Sequence, residues 1–289
     1  KQKTAYEIRL SLVGSEMCIR DRIYTVDAFT DKPFAGNPAA VCILSDDKDK
    51  SDEHLQQIAA EMNLSETAFV KKIKDKNEFM LRWFTPEVEV ELCGHATLAT
   101  SHILWQKGFL EPDEDAVFNT FYSGKLTASK NGDEIILNFP LIPVTDSEST
   151  IELEKALGIK PVYVGNCGKS ESNFLIELES EDDVRNLKPD FKLLAKLPKF
   201  GYIVTAVSQN KEYDFVSRFF APAKGIDEDP VTGSAHCSLA PYWSKKLNKL
   251  EMKAYQASKR GGSMTVKILN DRVLLIGKAV TILEGNLIL

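Results

Sequence analysis

The chain has 289 residues, of which 43% are hydrophobic and 27% charged, a balance that excludes disordered and fibrous classes and suffices for two folded units of ordinary size. A net charge of −6, with no basic stripe interleaved with aromatics, argues against a nucleic-acid partner. No apolar run reaches the roughly 20 residues of a membrane helix, and five cysteines without CxxC spacing read as free thiols of a reducing, cytoplasmic setting.

Taken in chain order, residues 1–22 fit nothing that follows, and Ser11 to Arg22 reads like translated sequencing-adapter sequence, so this stretch is set aside as a non-native or disordered N-terminal segment. Apolar or period-two runs then predict strands at Ile23–Phe29, Ala39–Leu44, Thr67–Lys71 and Phe79–Phe84, with an amphipathic helix at Asp52–Met62. A second helix runs from Gly94 to about Lys107 and carries Ala96, Leu98, Ala99, Ile103, Leu104 and Trp105 on nearly every face, which marks a buried helix. Strands follow at Leu126–Ser129, Ile135–Phe139, Phe174–Leu178, Tyr202–Val207, Thr265–Leu269 and Val273–Ile276. Further helices are expected at Asp190–Lys196 and from Gly233 to about Leu247, the latter kinked at Pro241.

The chain repeats itself. Arg82-Trp-Phe-Thr-Pro86 recurs 136 residues on as Arg218-Phe-Phe-Ala-Pro222, Cys93-Gly-His-Ala96 recurs as Thr232-Gly-Ser-Ala235, and Gly124-Lys-Leu-Thr127 recurs as Gly262-Ser-Met-Thr265. Each half therefore wraps strands around one central helix. We place the N-terminal half-barrel at residues 23–142, completed by a C-terminal strand at 279–289, and the second half-barrel at 143–278. The expected fold is α+β, two pseudo-twofold-related half-barrels facing each other across a cleft.

Both halves place a glycine at the start of a buried helix, Gly94 and Gly233. One such glycine alone reads equally as a close-packing residue. Two helix N-termini aimed at one cleft would present free N–H groups to an anion, so a small carboxylate-bearing metabolite is the expected partner. His95 lies in the first turn of its helix, where the imidazolium is disfavoured, and its counterpart is the hydroxyl-bearing Ser234. Asp229 precedes a proline and, from the residues alone, reads as a turn or cap. Glu66 stands between an amphipathic helix and a strand; it is either a surface carboxylate or a partly desolvated proton shuttle. Tyr202 lies opposite it at the 136-residue offset, so one base is indicated rather than two. His54, His95, His102 and His236 show no metal-ligand spacing, there is no dinucleotide or phosphate-loop fingerprint, and nothing marks an orienting base for a Cys93 nucleophile. Neither a metal nor another cofactor is implied.

Together, Phe34-Ala-Gly-Asn-Pro38, Met62-Asn-Leu-Ser-Glu-Thr-Ala-Phe69, Leu92-Cys-Gly-His-Ala-Thr97 and Glu228-Asp-Pro-Val-Thr-Gly-Ser-Ala-His236 resemble the PhzF family, nearest its phenazine biosynthesis-like domain-containing branch. The resemblance implies a diaminopimelate epimerase-like fold, a homodimer, and a cofactor-independent isomerase with Glu66 as the acid–base residue. It further implies that His95, Asp229 and Ser234 contact substrate beside the backbone of Gly94 and Gly233. The phenazine enzyme shifts a proton on a dihydro-hydroxyanthranilate. Related racemases use two cysteines; Cys93 stands near the first of these, and Pro230-Val-Thr-Gly233 offers no second. One-base epimerisation and a non-catalytic binding homologue are the alternative readings.

Overall fold

The computed structural model describes residues 21–45, 50–73, 77–168 and 172–288. The segment set aside at the N-terminus lies outside these, except that Asp21 and Arg22 belong to the fold. Arg22 pairs with Ile43 and Asn286, and the Asp21 carboxylate accepts from the Ser45 amide at 2.9 Å and meets Lys50 at 3.0 Å.

The first half contains β1 (Arg22–Ala28), β2 (Asn37–Ile43), β3 (Glu66–Lys72), β4 (Glu78–Phe84), β5 (Glu89–Val90), β6 (Ala116–Asn119), β7 (Lys125–Asn131) and β8 (Glu134–Pro140), with helices α1 (Asp52–Met62) and α2 (Gly94–Gln106). The second contains β9 (Val144–Ser147), β10 (Tyr163–Cys167), β11 (Asn173–Glu177), β12 (Gly201–Val207), β13 (Phe215–Ala221), β14 (Ile226–Asp229), β15 (Glu251–Gln256), β16 (Gly262–Leu269) and β17 (Arg272–Gly277), after which β18 (Ala279–Asn286) returns to the first. The helices of the second half are α3 (Ile151–Leu157), α4 (Glu181–Asn186), α5 (Phe191–Leu194) and α6 (Gly233–Leu247). The fold is α+β. The expected helix over 190–196 shrinks to the single turn of α5, with Asp190 as its cap.

Strand pairing repeats between the halves. β2 runs parallel to β3 as β11 does to β12, and β4 runs parallel to β6 as β13 does to β15. The halves join where β8 pairs antiparallel with β17. Each half is also closed by a strand that follows the other half's last hairpin: β9, after β8, pairs with β10, and β18, after β17, pairs with β1.

In α2 every residue from Gly94 to Ser101 is buried. A helix with no polar face has nowhere to sit but the centre of a barrel. Its one wide apolar surface joins Tyr24, Val41, Leu81, Phe118 and Phe139 in a core that continues into the second half through Leu239, Trp243 and Leu275. Smaller clusters lie outside the barrels, under α1 and under α3 to α5.

α6 runs as one helix through Pro241. A proline there has no N–H for the Cys237 carbonyl four residues back. The amide of Ile142, in the connection between the halves, donates to that carbonyl at 3.1 Å instead. No helix among the described residues is long and apolar enough to cross a membrane.

Leu98 is fully buried at the middle of α2. Leu98→Ala is expected to lower unfolding free energy by about 2–5 kcal/mol, the usual cost of a leucine-sized core cavity, as read from the midpoint and slope of urea denaturation.

Candidate active site

The N-termini of α2 and α6 meet backbone to backbone. A methyl group on Gly94 would stand 2.9 Å from the Gly233 Cα, and one on Gly233 would stand 3.0 Å from the Gly94 Cα. Only glycine permits this approach, because the obstructing atoms are main chain and cannot rotate away. The other helices of four or more residues are capped by side chains: Ser51, Thr150, Ser180 and Asp190 each accept from a first-turn amide. The two central helices begin at Cys93 and Thr232, neither of which makes a side-chain cap. Their first-turn N–H groups are thus left to another acceptor.

Around this junction the structure gathers Glu66, His95, Asp229 and Asn37. Glu66 opens β3, and its Oε2 stands 3.2 Å from His95 Nε2. The approach is not an aligned hydrogen bond, since both atoms lack a partner in that sense. Nor is it an ion pair. Burial, reinforced by the charge of Asp229, pushes the Glu66 carboxyl up to about 8, against a smaller opposing contribution from its hydrogen bond with Cys93. Burial alone drives His95 down to about 3. At neutral pH the pair is largely an uncharged acid beside an uncharged imidazole.

Asp229 ends β14, one proline before the turn into α6. Burial raises its carboxyl to about 6, although hydrogen bonds from Thr232 and Asn37 pull the other way. Oδ2 accepts from the Thr232 hydroxyl and Oδ1 accepts from Asn37 Nδ2 at 2.8 Å. It is a buried acceptor that holds the turn into α6 through Thr232 and also reaches Asn37 across the junction. Gln256 locks this turn: its Oε1 accepts from the Thr232 amide and its Nε2 donates to the Asp229 carbonyl, both at 2.8 Å. Ser234, half-buried in the first turn of α6, occupies the position that His95 holds in α2.

Asn37 was legible only as part of a motif. It opens β2, is wholly buried, and reaches from the first half to Asp229 and to the Val231 carbonyl at 2.9 Å in the second. A short polar side chain between glycine and proline in Gly36-Asn-Pro38 reads as a turn residue. Its burial depends on strands that are distant in sequence.

Tyr202 is not the counterpart of Glu66. Arg82 pairs with Phe69 and Arg218 with Val204, so superposing the two arginines matches Thr67 with Tyr202 and Glu66 with Gly201. A shift of one residue turns a strand side chain to the other face. Tyr202 accordingly points outward, its hydroxyl donating to the Leu194 carbonyl at 3.1 Å, in the core beneath α5. The second half offers no side chain at all where the first offers a carboxyl.

Glu66, Cys93 and His95 are the group among the described residues whose donor atoms gather, within 4.8 Å, as metal ligands would. They fit a cation poorly. Cys93 Sγ lies 3.5 Å from His95 Nδ1 while Glu66 faces Nε2, so the two potential co-ligands sit against opposite nitrogens of one ring. Burial also holds the Cys93 thiol well above its usual range, further from the thiolate a metal needs.

Gly94→Ala and Gly233→Ala are each expected to destabilise the fold by about 1–3 kcal/mol through overpacking, measured by chemical denaturation. Alanine at both positions should cost less than the sum of the two, because a helix displaced by the first methyl has already made room for the second.

The sequence profile described as phenazine biosynthesis-like protein matches residues 26–285. An uncharacterized isomerase of Halalkalibacterium halodurans is 52% identical over 92% of this chain and 98% of its own length. Phenazine biosynthesis-like domain-containing protein 2 of mouse is 42% identical with the same coverages. The crystal structure of a PhzF-family phenazine biosynthesis protein from Enterococcus faecalis superposes with a TM-score of 0.86 at 41% identity, covering 94% of this chain and all of that one.

Proposed function

The chain belongs to the phenazine biosynthesis-like family and to its isomerase class, and from that premise we propose that it moves a proton on a small carboxylate-bearing metabolite without a cofactor, Glu66 acting as the general acid and base. One observation carries this reading: a half-buried carboxyl, one oxygen fully enclosed and its pKa raised, stands beside a neutral imidazole where two uncapped helix N-termini touch.

The division of labour follows from what each group offers. Two converging helix N-termini supply N–H donors and partial positive charge, which suits a carboxylate. Holding a substrate carboxylate there would also stabilise negative charge that builds up next to it as a carbon-bound proton departs. A carboxyl that titrates near neutrality both takes and returns a proton, since neither form is strongly favoured. Gly201 stands where a second such base would be needed, so one group visits both ends of the transfer. Asp229 and Ser234 add hydrogen-bonding contacts from the second half, and His95 one from the first.

The test is exchange of carbon-bound hydrogen. Candidate carboxylates incubated with the protein in deuterated water should gain label at carbon, and Glu66→Gln should reduce the rate at least a hundredfold, in line with loss of a general acid–base group. Equal labelling by both proteins removes Glu66 from the mechanism. Chiral analysis of the product separates isomerisation from one-base epimerisation.

A second expectation concerns stability. Glu66 rises from 4.5 unfolded to about 8 folded, so between those values the native state binds more protons than the unfolded state. Its neutral form stabilises the fold fully below the lower value, and that contribution is lost as pH rises through the upper one. The stability of Glu66→Gln relative to wild type should therefore increase steadily from pH 5 to pH 8, as read from denaturation midpoints across that range.

A further inference from the structure

We infer that Asn37 is a positioning residue that sets the tautomer of His95, keeping the ring proton on Nε2 where it faces Glu66. The Asn37 amide has one possible orientation. Its Nδ2 lies 2.8 Å from Asp229 Oδ1 and 2.9 Å from the Val231 carbonyl. The carbonyl accepts only, and the carboxylate oxygen accepts whenever Asp229 is ionised. Rotating the amide by half a turn would set its oxygen against both of them at full burial, so the NH2 group is fixed on that side.

The same NH2 group stands 3.1 Å from His95 Nδ1. Its two hydrogens are directed at Asp229 and Val231, and an amide NH2 accepts nothing, so a proton on Nδ1 would find no acceptor there. The remaining neighbour of Nδ1 is Cys93 Sγ at 3.5 Å. The thiol is held protonated by burial, and its one hydrogen is engaged by Glu66, so it carries no negative charge to draw a proton onto Nδ1. With a non-accepting NH2 group against Nδ1, the neutral imidazole carries its single proton on the other nitrogen.

His95 Nε2 faces Glu66 Oε2 at 3.2 Å, and both atoms lack an aligned partner. With Asn37 in place the imidazole is a donor on the side of the proposed base. It then favours the ionised carboxylate over the acid. Were Nδ1 to hold the proton, Nε2 would be an acceptor and would favour the protonated acid. The groups that face this pair are Cys93 at the start of α2 and Asp229 at the end of β14. Asn37 touches Asp229 directly, so the acceptors that orient the amide come from the second half and the ring it orients belongs to the first.

The inference deepens the reading of Glu66 as the base but is measured in the free protein, with no substrate, so its failure and the failure of that reading are distinguishable. Nitrogen-15 NMR of uniformly labelled protein resolves the ring nitrogens of the four histidines, and His95→Gln identifies the pair belonging to His95. In wild type, Nδ1 should resonate at the unprotonated end of the range and Nε2 at the protonated end. The reverse order overturns the inference without any further variant. Asn37→Ala should draw the two resonances toward a common intermediate position as both tautomers become populated, while Cys93→Ala should leave them as in wild type. If Cys93→Ala collapses the difference and Asn37→Ala does not, the thiol sets the tautomer and Asn37 does not. Circular dichroism of each variant establishes that it is folded; should Asn37→Ala not fold, the wild-type order and the Cys93→Ala spectrum still decide.

Discussion

Everything at the site depends on the close approach of Gly94 and Gly233. Two helices that begin in contact aim their positive ends at one point, and neither can carry a side chain at its first residue without being pushed off the other. The contact fixes how the half-barrels meet, which in turn brings Asp229 from one strand and Asn37 from another within hydrogen-bond distance. Burial then does the electrostatic work. It keeps Glu66 and Asp229 above their ordinary range and His95 below its own, so at neutral pH Glu66 and His95 are largely uncharged and Asp229 carries the charge of the junction.

The two halves share a scaffold and differ in chemistry. On the outer face the bidentate pair of Arg82 with Glu89 is repeated by Arg218 with Glu228. At the junction no reactive position is repeated: Cys93 answers to Thr232, His95 to Ser234 and Glu66 to Gly201. The register places Val90 opposite Trp83 and Asp229 opposite Phe219, so Asp229 answers to an apolar residue. Symmetric pairs serve the architecture, where both halves face the same mechanical demand. On the proposed reading the ligand lacks that symmetry, and the groups that would touch it are free to diverge.

Much of this was legible in the sequence because the signals were local or periodic. The apolar residues on nearly every face of α2 announce a barrel centre, the patterns of α1 and α6 give their bounds, and the duplicated Arg-aromatic-Phe-x-Pro corner reveals two halves. What escaped was set by contacts between distant strands. Short strands such as β6 and β14 are too brief to show a period, and Asn37 acquires its role only from residues nearly two hundred positions away. The pairing of Glu66 with Tyr202 failed by a single residue, which is the least error that reverses a strand's faces. Pro241 read as a defect in α6 because its compensation, the Ile142 amide, lies in the connection between the halves.

The exchange of closing strands has a consequence for how the chain is made. Among the described strands β1 is made first and β18 last, yet they pair side by side from Arg22 with Asn286 to Ala28 with Ala279. The first barrel therefore waits, with one flank of β1 open, until the strands of the second have been synthesised. Contacts of such sequence separation are costly in loop entropy and slow to form, and an open strand flank attracts other chains in the interval. Until β18 arrives, the open flank of β1 is the edge at risk, and the first half closes only with a strand made after the second.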